Sequence, residues 1–139
     1  MTRFLTQPGN GEYDNTMECR CFECGEGLSI PVYGFDVLDS TSDEARPRLA
    51  SGEYVPFAVT AVKQTAGRGR RGKSFHSPEG GVYLSLVLPL PGDGSIPLLT
   101  PMAAVAIRRA ILAVTGRETG INWVNDLFFD GRKVCGILA

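Results

Sequence analysis

The chain has a single histidine, His76, in 139 residues. That scarcity bears on the clustered thiols Cys19, Cys21 and Cys24. Tetrahedral zinc takes four ligands, and C-x-C-x-x-C is not a paired C-x-x-C and has no histidine nearby. Reduced thiols without a metal are expected there, and Cys135, inside Val134-Cys135-Gly136-Ile137-Leu138, reads as a small core residue. No apolar run approaches the roughly 18 residues that span a bilayer, so no membrane partner is expected. The N-terminus lacks the cationic-then-apolar order of a secretory signal, which leaves a cytoplasmic protein as the default. There is also no excess of one charge: the formal net charge is −1 and the pI about 5.8. That balance argues against a general nucleic-acid binder.

What charge there is, is local. Lys63, Arg68, Arg70, Arg71 and Lys73 place five cations within eleven residues that contain no acid. Gly67, Gly69 and Gly72 are interleaved with them. Glycine lets backbone N–H groups approach a ligand closely, and each guanidinium offers a planar fork of donors to phosphate or carboxylate. A solvated basic loop and an Arg-Gly contact to RNA are the competing readings. The flanks favour a folded anion site: residues 54–62 form an apolar strand-like run before the loop, and 82–88 form another after the turn signal Ser77-Pro78-Glu79-Gly80-Gly81.

The length suits about one domain. Residues 1–29 are polar, contain the clustered cysteines and have no sustained period, so they read as a tail. Order is expected from Ile30, with a strand over 30–38. Asp39-Ser40-Thr41-Ser42-Asp43-Glu44 then resembles a helix start, with a hydroxyl cap and first-turn acids. Pro47 and Ser51-Gly52 keep that helix short. After the turn Leu90-Pro91-Gly92-Asp93-Gly94, Thr100-Pro101 opens the clearest helix. Its apolar face is read as Met102, Val105, Ala106, Arg109, Ala110, Leu112 and Ala113. Short strands follow at 121–123 and 127–129, then a hairpin turn at Asp130-Gly131 and a returning strand over 133–138. The chain stops inside that apolar strand, so an incomplete sequence is expected.

Lys133 follows the hairpin turn on an ordered strand, a good position for meeting a carboxylate or an α-phosphate. Asn125 and Asp126, at the other end of the hairpin, could orient a nucleotide or hold Mg²⁺ through water. In order and spacing, four segments now resemble biotin–protein ligases. They are Gln64 to Gly72, Tyr83-Leu84-Ser85, Trp123-Val124-Asn125-Asp126-Leu127, and Gly131-Arg132-Lys133-Val134-Cys135-Gly136-Ile137-Leu138. Upstream, Asp39-Ser40-Thr41-Ser42 is similar to the family's Asp-Ser-Thr-Asn. The resemblance covers residues 30–139, the N-terminal part of a catalytic domain.

It implies an α+β fold, a mixed β-sheet flanked by helices, like the catalytic domain of class II aminoacyl-tRNA synthetases. It also implies ATP-dependent activation of biotin to biotinoyl-5′-AMP, with Mg²⁺. Transfer to a lysine of a biotin carboxyl carrier protein would follow, and a homodimer is compatible with it. By position, Ser40, Thr41, Ser42 and Gln64 would bind biotin, under a loop of Gly67, Arg68, Gly69 and Arg70 that orders around the ligand. Tyr83 and Gly136 would line the pocket. Arg70, Arg71, Phe75, Asn125 and Asp126 would serve the nucleotide, and Lys133 and Arg70 the chemistry, with Lys133 bridging carboxylate and α-phosphate. No protein-held metal is implied. Four positions depart from the family: Asn122 where lysine is usual, Ser42 for asparagine, Phe75 for tryptophan, and Lys63 for a polar or acidic residue. Without a helical period in 1–29, the helix-turn-helix domain of repressor-type ligases is not expected, nor is DNA as a partner. A lipoate–protein ligase is the nearest rival, but its Arg-Arg-x-Ser-Gly-Gly-Gly segment is missing.

Overall fold

The structure, a computed structural model, describes residues 18–23, 29–53, 55–90, 92 and 95–139. Cys24, Tyr54, Pro91, Asp93 and Gly94 therefore lie outside the described residues, as does most of the segment read as a tail. Two compact units are present, residues 1–89 and 90–139.

The first unit is a mixed sheet in the order β1-β2-β3-β4. Its strands are β1 (Glu18–Glu23), β2 (Ser29–Leu38), β3 (Phe57–Gln64) and β4 (Tyr83–Val87). β2 and β3 run parallel, whereas β1 and β4 are antiparallel to their neighbours. A parallel pair needs a crossover connection, here supplied by helix α1 (Thr41–Ala50). Phe57 and Val59 of β3 are fully buried with Ala45 of α1, and Tyr33, Phe35, Leu38, Val55 and Val87 pack around them. At the end of α1, Arg48 lies 4.3 Å from the centre of the Tyr33 ring. Burial, and the hydrogen bond from Tyr33 to Glu53, push the Tyr33 phenol up to about 12.

Two features differ from the reading of the sequence. β1 falls inside the segment read as a tail; its alternation of cysteine with charge is too weakly apolar to mark a strand, and pairing with β2 makes it one. Ser40 stands at the N-cap of α1 with extended backbone angles, but its side chain makes no capping hydrogen bond. Instead Gln64, at the end of β3, accepts the Thr41 N–H at 2.8 Å. The cap comes from a distant residue. Pro47 is tolerated inside the helix, which closes at Ser51 and Gly52, the latter at φ 85°.

The second unit pairs α2 (Leu99–Thr115) with an antiparallel sheet, β5 (Gly120–Asn122), β6 (Asp126–Phe129) and β7 (Arg132–Gly136). Gly116 caps α2 at φ 69° and donates to the Leu112 carbonyl. Asp130 and Gly131 join β6 to β7 with φ of 48° and 72°. Both angles are positive, as a two-residue type I′ hairpin requires. The buried face of α2 is Ala103, Ala104, Ile107 and Ile111, packed with Leu127, Cys135 and Ile137. It is not the expected face, since Met102, Val105 and Leu112 are exposed. Ile96–Thr115 also reaches the length and hydropathy of a membrane span, contrary to the reading of the sequence. Its Arg108 and Arg109 fall mid-helix, and Arg108 donates to the Thr119 carbonyl at 2.8 Å. Leu127 is fully buried in this core. Truncating it (Leu127→Ala) is expected to destabilise the fold by about 2–5 kcal/mol, read as a lower denaturant midpoint at constant slope.

Candidate active site

The basic segment is a hairpin held by its own backbone. Gln64 N–H donates to Ser77 O at 3.0 Å, Phe75 N–H to Gly67 O at 2.7 Å and Gly69 N–H to Lys73 O at 2.6 Å. At its base Thr65 N–H and Ala66 N–H donate to the carbonyls of Leu38 and Asp39, and the Thr65 hydroxyl contacts the Asp39 carboxylate. The tip is a tight turn in which Lys73 N–H donates to Arg70 O at 3.3 Å, with Arg71 at φ 58° and Gly72 at φ 73°. A non-glycine residue in that left-handed region is strained by roughly 1–2 kcal/mol. Arg70, Arg71, Lys73 and Phe75 are all exposed. The structure thus places three of the five expected cations, Arg70, Arg71 and Lys73, on the outer part of one loop, turns Arg68 aside to Asp43 of α1, and leaves Lys63 within β3.

Beneath the hairpin lies a polar cluster. Gln64 Nε2 donates to Ser77 Oγ at 2.9 Å, and Ser77 Oγ donates to Phe75 O at 3.0 Å. Ser85 Oγ donates to Thr41 Oγ1 at 2.9 Å and lies 3.1 Å from Ser42 Oγ. Ser40, Thr41 and Ser77 are buried. The expected biotin-binding residues Ser40, Thr41, Ser42, Gln64 and Gly67 are thereby gathered at one end of β3. Gly67 has no room for a side chain: a methyl group there would overlap Ser77 Oγ and stand 2.5 Å from Phe75 O. Tyr83 donates its phenol to Pro78 O at 2.6 Å and lies against Gly81, so it closes the return of the loop. Sequence reasoning missed Ser77 and Ser85 as members of this cluster, and Asp43 as the partner of Arg68 outside it. Ser77 was hidden in a turn signal, and Asp43 among first-turn helix acids.

The second unit holds the other expected group. Lys133 Nζ sits 2.8 Å from Asp126 Oδ1, and Asn125 Nδ2 donates to the same oxygen at 2.8 Å. Asn125 is itself fixed, since its carbonyl accepts the Ile137 N–H at 2.8 Å. Gly136 pairs with Asp126 across the hairpin. A methyl on Gly136 would lie 3.2 Å from both Cε and Nζ of Lys133. The glycine is the space in which the lysine end rests. One of three ammonium donors is taken by Asp126, which leaves the others for an anion. Burial, then the Asp126 carboxylate, push the neighbouring Cys135 thiol up. Burial, then Cys21, likewise raise Cys19. A cavity of ≈ 240 Å³ in this unit, lined by Ile111, Thr115, Arg117, Thr119, Phe129 and Val134, contains none of the expected residues. Among the described residues no group of three or more potential metal ligands occurs.

The first unit thus carries a basic hairpin at the end of β3, and the second carries a lysine–carboxylate pair on its own hairpin. Comparison with known proteins gives the family. Residues 34–139 match the biotin/lipoate A/B protein ligase family, and the chain belongs to it. Over 123 residues it is 42% identical to the bifunctional ligase/repressor BirA of Bacillus spizizenii, covering 81% of this chain and 37% of the relative. It is 40% identical to the biotin–[acetyl-CoA-carboxylase] ligase of Paracoccus denitrificans, covering 72% and 42%. Among solved structures, biotin protein ligase from Leishmania major in complex with biotinyl-5-AMP superposes with a TM-score of 0.68 at 28% identity, covering 73% of this chain and 48% of that one. The Helicobacter pylori biotin acetyl coenzyme A carboxylase synthetase with bound biotinylated ATP gives 0.66 at 27% identity, covering 77% and 53%. The chain therefore carries the biotin protein ligase catalytic fold over about half the length of those structures, and less of the curated relatives.

Proposed function

We propose that this chain is part of a biotin–protein ligase. A biotin carboxylate oxygen attacks the α-phosphorus of ATP, the bond to the β-phosphate breaks, and pyrophosphate leaves. A lysine amine of a biotin carboxyl carrier protein then attacks the acyl carbon of biotinoyl-5′-AMP, and AMP leaves. No enzyme nucleophile is needed. The first step asks the protein to hold two anions together and to neutralise charge in the transition state. The Lys133–Asp126–Asn125 arrangement over Gly136 carries this reading, because it fixes an ammonium group on a rigid strand with donors to spare. The cluster around Gln64 supplies the neutral donors and acceptors that a ureido group and a carboxylate tail require. Arg70 and Arg71 serve the phosphates. Mg²⁺ would travel on the nucleotide phosphates, which needs no cage of protein ligands, with Asp126 the carboxylate suited to its waters. A cytoplasmic location, beside carboxylase substrates, is part of this proposal.

The test is mass-spectrometric detection of biotinoyl-5′-AMP after incubation with biotin and Mg·ATP, with lipoate in a parallel tube. Product with biotin alone is expected; product with lipoate alone would assign the lipoate branch of the family. The hairpin tip also has a measurable role. Arg70→Gly removes a cation from the turn that covers the intermediate, so biotinoyl-5′-AMP is expected to escape faster into solution. Trapping of released adenylate by an added primary amine reads that directly, and release no faster than from the parent would remove Arg70 from this role.

A further inference from the structure

The pairing of Arg68 with Asp43 has a consequence within the first unit. Nε and Nη2 of Arg68 both reach Asp43 Oδ2, at 2.9 and 2.8 Å. The other oxygen, Oδ1, lies 3.6 Å from Arg46 on the same helix. Asp43 stands in the first turn of α1, where a carboxylate is favoured by the helix dipole. Arg68 stands one residue beyond Gly67, at the point where the hairpin leaves the buried cluster. The backbone bonds of Gln64, Gly67 and Gly69 close the hairpin on itself. They do not fix the angle at which its outer half leaves the sheet. A guanidinium forked onto a carboxylate of α1 does, because a planar donor group sets direction as well as distance.

We propose that Asp43 is a positioning residue that latches the basic hairpin to α1 through Arg68 and so sets how long the loop stays closed over the activated intermediate. The functional half of this rests on the ligase reading; the latch itself does not. Arg68 is then a structural cation of the loop. An exposed pair of this kind contributes modestly, so the expected changes are of a few-fold.

The test uses the loop's own chemistry. Arg70, Arg71 and Lys73 are tryptic sites on the hairpin, and their cleavage rate in the native protein reports how often the loop opens. Asp43→Ala and Arg68→Ala are each expected to raise cleavage after residues 70, 71 and 73 by about twofold to fivefold. The double variant is expected to exceed neither single one, since both remove the same contact. Arg46→Ala, which touches only the other carboxylate oxygen, should leave cleavage unchanged, and Asp43→Glu should restore most of the protection. Escape of biotinoyl-5′-AMP should rise in the same proportion in Asp43→Ala, with formation of the adenylate little altered. Unchanged cleavage in Asp43→Ala, or strictly additive effects in the double variant, overturns the latch. Raised cleavage with unchanged escape overturns its functional half. If the parent makes no adenylate at all, the ligase reading fails, and the cleavage series still decides the latch.

Discussion

Lys133→Met is expected to slow formation of biotinoyl-5′-AMP by about 10²- to 10³-fold, the usual loss when a preorganised charge stabiliser is removed. Methionine keeps the length and apolar stem of lysine, so the packing over Gly136 survives and the ammonium alone is lost. Lys133→Arg should rescue poorly. The lysine end rests 3.2 Å from the place where a side chain on Gly136 would begin, and a planar guanidinium is larger than an ammonium and differently directed. Gly136→Ala tests the same geometry from the other side. Its methyl meets only the flexible end of Lys133, which can shift, so a smaller loss of about tenfold is expected, within the range for a misplaced catalytic group. Single-turnover kinetics with saturating biotin and ATP separates these effects from binding. Adenylate formation by Lys133→Met at the parent rate would show that the lysine serves only its ion pair with Asp126.

The parts of this molecule that were legible in the sequence are those fixed by local chemistry. Asp130-Gly131 announces a type I′ turn because both positions demand positive φ, and both have it. The glycine–arginine run between two apolar strands announces a loop at the end of a sheet, and the hairpin sits between β3 and β4. What was not legible depends on partners far along the chain. The cap of α1 comes from Gln64, twenty-three residues after Thr41, so Ser40 had the sequence of a capping residue without the bond. Asp43 and Arg68 are twenty-five residues apart, and nothing local distinguishes Asp43 from any other first-turn acid. The buried face of α2 was misread for a different reason. The helix is apolar nearly all round, so its period does not select a side. Small residues at 103 and 104 let it approach the sheet while larger ones at 102 and 105 stay outside.

Gly67→Ala is the substitution expected to damage the biotin side most. The added methyl overlaps Ser77 Oγ and lies 2.5 Å from Phe75 O. The second of these is backbone and cannot rotate away. Overpacking of this kind costs typically 1–3 kcal/mol, and here the strain has a direct route into the site. Phe75 N–H donates to Gly67 O, Ser77 Oγ donates to Phe75 O and accepts from Gln64 Nε2, and Gln64 Oε1 accepts the Thr41 N–H. Moving the hairpin neck therefore disturbs the buried polar groups that would contact biotin. The expected result is a biotin Kd raised about tenfold to a hundredfold, with ATP binding less affected and the fold retained. Ser77→Ala added to Gly67→Ala should not restore affinity, because the clash with the Phe75 carbonyl remains. Gly72→Ala is the informative contrast. That glycine is at φ 73° with open space around it, so the change strains the tip alone and should leave the Kd for biotin within a few-fold of the parent. Calorimetric titration of the variants with biotin in the absence of nucleotide distinguishes the cases. Equal affinity in the parent and Gly67→Ala would mean that biotin does not bind beside the hairpin neck, and the cluster around Gln64 would then be a structural anchor for the loop.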